Sequence, residues 1–232
     1  MYVIVVGAGD IGWPLVDMAT GAGHEVVVVD ADEQTASEVA REFDCLAIND
    51  DATEADTLEE AGARRADAII STAESDATNI MVMLLAEEYD VPSRVSVVHN
   101  TDHMSLFRRS GANVVENPQK LISEHLFRAV QRPSVSDWMH LADDAEVFEV
   151  RVDEEAPIAG RRLSEADESG LLAPDVLVVA IERDGGVVTP KGGTTIRAGD
   201  SVAVFSERGF ADDVLETFGA EDQIATGHAG LL

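Results

Sequence analysis

The 232-residue chain has one cysteine, few basic residues and no long apolar run. Its single cysteine, Cys45, excludes an intrachain disulfide and fits a reducing compartment. Because Cys45 begins a short apolar run, we interpret it as a small buried hydrophobe and not as a nucleophile. No apolar run approaches the roughly 18 residues that cross a bilayer. No basic stretch precedes an apolar segment at the N-terminus, so we expect no signal peptide.

Positive charge is scarce, and lysine is almost absent, with only Lys120 and Lys191. Sixteen basic residues against 45 acidic ones give a formal net charge of −29. Such a chain gains no counterion release from a polyanion, so nucleic acid is not an expected partner. Molar salt shortens the Debye length to about 3 Å and screens self-repulsion, so the composition predicts a halophile protein. An acidic docking face for a basic partner would require clustering, whereas the acids are spread along the chain.

The most specific motif lies within the first 30 residues. An apolar run at 3–6 leads into Gly7-Ala8-Gly9-Asp10-Ile11-Gly12, and a second apolar run ends at Asp30. The first glycine permits a tight turn, the second lets the backbone approach a pyrophosphate, and the third lets a helix pack on the strand. The start of that helix offers free N–H groups to phosphates, and Asp30 can accept hydrogen bonds from a ribose. The motif therefore predicts a dinucleotide site.

The first 117 residues alternate short Val/Ile-rich runs with helical patterns. The predicted strands lie at 2–6, 25–30, 45–48, 66–72, 95–98 and 113–115. Short strands of this composition are typical of a sheet that is buried on both faces. We therefore predict an α/β fold for 1–117, a Rossmann-like doubly wound parallel sheet with right-handed crossovers.

The pattern changes after Pro118. Gln119–Gln131 predicts an amphipathic helix that Pro133 ends, and His125 on its apolar stripe is interpreted as a packing residue and not as a ligand. We assign 118–142 to this helix and a connection, and 219–232 to a loose acidic tail. Strand patterns at 147–152, 176–182 and 201–205 predict a small α+β domain over 143–218.

Several strings carry a resemblance to a known family. In the first domain they are Asp51-Ala52-Thr53, Leu58-Glu59-Glu60-Ala61-Gly62, Ala66-Asp67-Ala68 and Glu74-Ser75-Asp76-Ala77-Thr78-Asn79; in the second they are Pro157-Ile158-Ala159-Gly160, Val176–Arg183, Pro190 and Ala198-Gly199-Asp200-Ser201. In this order they resemble the RCK family, the regulatory domains for K⁺ conductance, and within it the TrkA subunits of Trk/Ktr potassium uptake systems. The resemblance covers about residues 1–218, as a single two-domain unit.

The resemblance implies roles for individual residues. The turn Gly7–Gly12 would hold the pyrophosphate, and Asp30 the adenosine ribose. Asp51 and Ala52 would lie beside the adenine, while Thr72, Ala73 and Glu74 would close over the middle or the nicotinamide part. Two of these carboxylates could instead serve the backbone, Asp51 as a helix N-cap or turn residue and Glu74 as a charge favoured by a helix start.

Two positions depart from the family pattern. Members that prefer ATP often carry an arginine in the glycine turn, where this chain has Asp10, so NAD⁺ or NADH is expected over ATP or ADP. Many members also place an arginine on the fifth strand, where the matching position here is Val97. Arg94 lies three residues earlier and has a different facing. The residue that would usually reach the phosphates is therefore missing.

The function implied by the resemblance is a non-catalytic regulator. It would gate a membrane K⁺-translocating subunit of the TrkH or KtrB type through a nucleotide-dependent change of shape. The chain would form a homodimer through the first domain and helix 119–131, and assemble into a tetramer or an octameric ring. It would be cytoplasmic and would reach the inner face of the membrane only through its channel partner.

Two other functions stay open. An NAD-dependent oxidoreductase would need an acid/base group, for which His99 and His103 are the only plausible pair. A regulator of a cation/proton antiporter or another transporter would share the fold. The acidic pairs and triplets at 143–144, 153–155 and 212–213 show no calcium-loop spacing and are interpreted as solvated surface, so no metal is expected.

Overall fold

The computed structural model describes residues 1–131, 135–141, 145–209 and 212–220. The chain divides into two compact units, 1–122 and 123–232. The strands and helices up to the end of the amphipathic helix are β1 Tyr2–Val6, α1 Gly12–Gly21, β2 Glu25–Asp30, α2 Glu33–Glu42, β3 Leu46–Asn49, α3 Ala55–Glu60, β4 Ala68–Ser71, α4 Asp76–Glu88, β5 Ser93–Val97, α5 Met104–Arg109, β6 Val114–Glu116 and α6 Pro118–Gln131.

The six strands of the first unit form one parallel sheet in the order β3-β2-β1-β4-β5-β6. This confirms the predicted doubly wound sheet. All of β1 is buried, as are the four central valines of β2, because helices cover both faces of the sheet. Alternate residues of β1 belong to separate clusters, so Ile4 packs on one side with Met83 and Val5 on the other with Val16.

The order of the strands creates a switch point at β1. The chain winds from β1 to β2 and β3 in one direction and from β4 to β5 and β6 in the other. Connections at such a point leave a crevice beyond the carboxyl ends of the strands, which is where ligands bind in open α/β sheets. The glycine turn follows β1 directly and therefore lies at this crevice.

The second unit contains a five-stranded antiparallel sheet in the order β10-β9-β11-β8-β7. Its elements are β7 Val135–His140, β8 Glu146–Arg151, α7 Leu163–Glu168, β9 Val176–Arg183, β10 Gly186–Val188, β11 Ser201–Ser206 and α8 Asp212–Thr217. The buried side chains Phe148, Ile181 and Val204 share a core with Ala166 of α7 and Leu215 of α8. This confirms the small α+β domain.

One strand lies where the sequence predicts only a connection. Residues Val135–His140 form β7, which pairs with β8 at the edge of the second sheet. The tail predicted at 219–232 lies outside the described residues from position 221 onward, and the acidic pair at 143–144 also lies outside them.

Candidate functional site

A cleft of about 520 Å³ opens beyond the carboxyl ends of β1, β2, β3 and β4. Eight of the predicted site residues line it: Gly7, Gly9, Asp30, Asp51, Ala52, Thr72, Ala73 and Glu74. The remaining lining residues are Val6, Val29, Ala31, Asp32, Thr35, Asp50, Ser75 and Thr78. The sheet topology thus gathers four loops that are far apart in sequence into one site.

The three glycines of the turn meet different constraints. A Cβ at Gly12 would lie 1.9 Å from the Gly7 carbonyl oxygen, and Gly7 itself has φ +82° and would place a Cβ 3.1 Å from the Ala73 nitrogen. The protein's own packing therefore requires both residues to be glycine. A Cβ at Gly9 would meet no protein atom within 4 Å. Its backbone faces open space, which is the arrangement that allows the close approach of a pyrophosphate.

Asp30 is held by two backbone N–H groups. Its Oδ2 accepts a hydrogen bond from the Ala8 N–H at 2.7 Å, and its Oδ1 accepts one from the Asp32 N–H at 2.9 Å. These bonds fix the half-buried carboxylate at the end of β2, between the glycine turn and the start of α2. Each carboxylate oxygen keeps a free lone pair, so Asp30 can still accept from a ribose hydroxyl.

The rim of the cleft is strongly acidic. Among the described residues, its lining contains no lysine or arginine. Five of the lining side chains are carboxylates: Asp30, Asp32, Asp50, Asp51 and Glu74. The backbone N–H of Thr35 and then its hydroxyl lower the pKa of Asp32, and the same groups of Thr53 lower the pKa of Asp51. Both carboxyls therefore stay ionised at neutral pH.

Asp51 and Glu74 differ in how far they serve the backbone. Asp51 accepts from the Thr53 N–H at 2.9 Å and from its hydroxyl at 2.8 Å, so it is a turn residue as well as a cleft residue. Glu74 is exposed and precedes Ser75, which is the N-cap of α4. Glu74 therefore does not cap α4, but it lies beside the helix start as well as in the cleft, and its position fits both roles of this carboxylate.

Two side chains join the loop after β4 to its surroundings. The Thr72 hydroxyl donates to the Gly7 carbonyl at 2.7 Å and so ties this loop to the glycine turn. Asn79 is fully buried; its Oδ1 accepts from the Ala73 N–H, and its Nδ2 donates to the carbonyls of Ala73 and Val97. The loop that carries Ala73 is consequently held by polar bonds on both sides.

Five predicted site residues do not line the cleft. Ala8 and Gly12 are buried, while Asp10 is exposed and Ile11 half-buried at the start of α1. Val97 is 7% exposed, and its carbonyl accepts from Asn79, so neither its side chain nor its carbonyl faces the site.

Arg94 does not replace the missing fifth-strand arginine. Its guanidinium donates to the carbonyls of Gly111 and Val91, both at 2.6 Å. This side chain therefore serves the packing near the start of β5.

The two histidines of the oxidoreductase interpretation are used structurally. His103 Nδ1 lies 2.8 Å from Asp76 Oδ2, and His99 Nε2 lies 3.1 Å from the Ala73 carbonyl oxygen. Burial raises the pKa of Asp76, but the N–H groups of His99 and Asn100 and the His103 ring outweigh this and lower it. Neither ring belongs to the lining of the cleft.

Burial, and then Asp44, raise the pKa of the half-buried Cys45 thiol, which disfavours the reactive thiolate. His125 is exposed, not packed. In the part of the chain that the structure describes, no group of side chains is arranged to hold a metal ion, and no helix is both long and apolar enough to span a bilayer.

The sequence analysis did not single out Asp32 and Asp50 as cleft residues, nor the hydrogen bonds that Asn79 and His99 make to Ala73. Asp50 directly follows β3 and Asp32 lies two residues after the end of β2, so the strand pattern could have indicated both positions. Asn79 carried a weaker signal, as a polar residue inside an apolar helix. His99 contacts Ala73 across 26 positions in the chain, and no local pattern encodes that contact.

Comparison with known proteins places the chain in a family. The TrkA-N domain model matches residues 3–118, and the TrkA-C domain model matches residues 147–219. A Trk system potassium uptake protein TrkA homolog from Methanothermobacter thermautotrophicus is 28% identical over 88% of this chain and 93% of its own length. A second such homolog, from Pyrococcus abyssi, is 27% identical over 92% and 96%.

Among solved structures, the GsuK channel bound to NAD superposes with a TM-score of 0.67 at 19% identity. The match covers 94% of this chain and 39% of that one, and at this identity it speaks for the fold alone. Both domain models together span most of the chain and confirm the resemblance found in the sequence. The chain belongs to the TrkA family, with a TrkA-N domain followed by a TrkA-C domain.

Proposed function

We propose that this chain is a non-catalytic, nucleotide-binding regulatory subunit that gates a membrane K⁺ uptake channel of the Trk/Ktr type. The observation that carries the proposal is the cleft beyond β1 and β4, where Gly9 faces open space and Asp30 is fixed between two loops. Family membership supplies the transport context, because the matched relatives are named as potassium uptake proteins.

The nucleotide that fits this cleft best is NAD⁺ or NADH. The glycine turn and the N–H groups at the start of α1 would hold the pyrophosphate, and Asp30 the adenosine ribose. Asp51 and Ala52 would flank the adenine, and residues 72–74 the other half. The five carboxylates of the rim and the nearby Asp10 disfavour ATP and ADP, because their terminal phosphates concentrate more negative charge there. Solved GsuK structures are described as bound to NAD and as bound to ADP, so the preference proposed here rests on the charge of the cleft.

The helix α6 supports a homodimer. Five of its apolar side chains are between 53% and 71% exposed: Leu121, Ile122, Leu126, Phe127 and Val130. An apolar stripe of this size on one helix is a typical interface feature. We propose that a second copy covers it and that such dimers assemble into a tetramer or an octameric ring on the channel.

Gating follows from differential binding. A nucleotide can shift the dimer between two shapes only if it binds one shape more tightly than the other. The shape that it favours then sets the conductance of the membrane partner. The chain itself carries out no chemistry in this scheme, because His99 and His103 are bound to Ala73 and Asp76 and stay out of the cleft.

Rubidium flux tests this function. Vesicles that contain the host's K⁺-translocating subunit are assayed with and without this chain, each with and without NAD⁺ and NADH. We expect the chain to make the flux nucleotide-dependent. An equal rubidium flux with and without the chain would refute the regulatory role. Sustained oxidation of NADH with candidate substrates would favour the oxidoreductase instead.

A further inference from the structure

His99 lies between the nucleotide cleft and the start of α6. Its Nε2 is 3.1 Å from the carbonyl oxygen of Ala73, a residue that lines the cleft. Its Nδ1 is 3.2 Å from the side-chain nitrogen of Gln119, in the first turn of α6. The half-buried ring therefore bridges the loop after β4 and the first turn of α6.

A second connection runs through the backbone of the same residue. The Asn117 side chain is buried and donates to the carbonyls of Val98 at 2.8 Å and His99 at 3.1 Å. Its Oδ1 accepts from the Lys120 N–H at 2.7 Å, so Asn117 also caps the first turn of α6. The position of the β5 end thus sets the position of the helix start.

The ring has a defined donor and acceptor arrangement. A carbonyl oxygen can only accept, so Nε2 carries the hydrogen toward Ala73, and Nδ1 accepts from the Gln119 amide. The His99 N–H donates to Asp76 Oδ1 at 2.8 Å, which holds the backbone beneath the ring against α4.

We propose that His99 is the positioning residue through which a nucleotide in the cleft orients the start of α6. The inference rests on the proposed function, since it requires a ligand against residues 72–74. Such a ligand displaces or fixes the Ala73 carbonyl. The His99 ring passes that change to Gln119 and, through the β5 end, to Asn117. Because α6 bears the apolar stripe proposed as the dimer interface, a small shift at Ala73 becomes a change in how two subunits meet.

Hydrogen exchange of the α6 backbone tests the coupling in the full chain. The exchange of amides 119–131 is measured in about molar KCl, without nucleotide and with NAD⁺ at a concentration that saturates each variant. In the unmodified protein we expect NAD⁺ to change this exchange by about threefold or more. In His99→Ala the nucleotide-dependent change is expected to disappear, although NAD⁺ still binds.

Two further variants control the experiment. His24→Ala removes a histidine just before β2, at the opposite end of that strand from the cleft, and its α6 response to NAD⁺ should match that of the unmodified protein. Gln119→Ala removes only the exposed end of the connection, so it tests the coupling even if His99→Ala fails to fold. The double variant His99→Ala/Gln119→Ala should show the same NAD⁺-dependent change in α6 exchange as His99→Ala alone, because both substitutions break one connection.

The possible failures are distinguishable. An α6 response that survives in His99→Ala and in Gln119→Ala overturns the role of His99. An unmodified protein that binds NAD⁺ without any change in α6 also overturns it, but leaves nucleotide binding intact. An unmodified protein that binds neither NAD⁺ nor NADH contradicts the proposed function itself.

Discussion

Among single residues, Gly9 is a glycine that the fold does not require but that a bound pyrophosphate would require. Its added Cβ would meet no protein atom, so Gly9→Ala should leave the free energy of unfolding within about 0.5 kcal/mol of the unmodified protein. The same methyl group would stand where the pyrophosphate approaches the backbone. We therefore expect NAD⁺ affinity to fall by about tenfold or more, measured by titration calorimetry beside thermal unfolding.

Gly21→Ala is the matched control for this prediction. Gly21 ends α1, and a Cβ there would also meet no protein atom. Its substitution should change neither folding nor affinity. Equal NAD⁺ binding by Gly9→Ala and Gly21→Ala would mean that the pyrophosphate lies elsewhere.

The site was partly visible in the sequence because its chemistry is partly local. The glycine turn and Asp30 belong to one strand-turn-helix-strand unit, and their spacing fixes their geometry. Val97 was predicted as a site residue only because it matches a position of the family pattern. In the structure the Val97 side chain is buried, and the Val97 carbonyl accepts a hydrogen bond from Asn79. Contacts such as His99 with Ala73 depend on how β4 and β5 lie side by side, which no short pattern specifies.

Among the elements of the second unit, β9 and the turn before β11 are joined by a buried ion pair. The Arg183 guanidinium donates to both carboxylate oxygens of Asp200, at 2.8 and 2.7 Å, and Asp200 is 2% exposed. Burial alone would raise the pKa of Asp200, but the bonds from Arg183 and from the Arg197 N–H outweigh it and lower that pKa. Breaking the pair would leave a shielded guanidinium without its partner.

We predict that Asp200→Asn lowers the free energy of unfolding by about 2–3 kcal/mol at pH 7. Because the pKa of Asp200 is lower in the folded state, its contribution exists above the unfolded-state pKa and is lost as the pH falls through the folded-state pKa. The gap between variant and unmodified protein should therefore narrow below about pH 4 in urea unfolding curves.

Asp213→Asn is the comparison for this pair. Asp213 is an exposed partner of Arg208, 3.4 Å away, and its loss should cost less than about 0.5 kcal/mol. Equal effects of Asp200→Asn and Asp213→Asn would show that the Arg183 pair adds no stability beyond a surface contact.

The helix α6 has an interface prediction of its own. Leu126 is 60% exposed on the apolar stripe, so Leu126→Glu should abolish the proposed dimer while the chain stays folded. Sedimentation equilibrium measures the mass. Met18→Glu is the control, because Met18 is 61% exposed but belongs to a different helix, α1. A dimer that survives Leu126→Glu, or a monomeric unmodified protein, would contradict the assignment.

Local signals account for the elements that could be predicted. β1 and β2 match their predicted bounds because each is a continuous apolar run between clear turns, and α4 begins after the Ser75 cap. β7 was missed because its sequence, Val-Ser-Asp-Trp-Met-His, lies just after a proline and lacks a run of β-branched residues. Its strand state comes from pairing with β8, a tertiary cause that overrides weak local preference.

For the whole molecule, the net charge of −29 makes stability depend on salt. Repulsion among 45 acidic side chains opposes the compact state, and the Debye length falls from about 10 Å at 0.1 M to about 3 Å at 1 M. We predict that the free energy of unfolding rises steadily over this range of KCl. Equal concentrations of a neutral solute should not reproduce the rise. Stability that is flat or falls with KCl would contradict the halophile interpretation.

We propose that the cleft of this TrkA-family protein senses a dinucleotide. Calorimetric titration of the intact chain with NAD⁺, NADH, ADP and ATP, in about molar KCl, tests this proposal. The arrangement of Gly9, Asp10 and Asp30 predicts that NAD⁺ or NADH binds more tightly than ATP or ADP, and that Gly9→Ala weakens this binding. Tighter binding of ATP than of either dinucleotide, or no binding of any of the four, would contradict it.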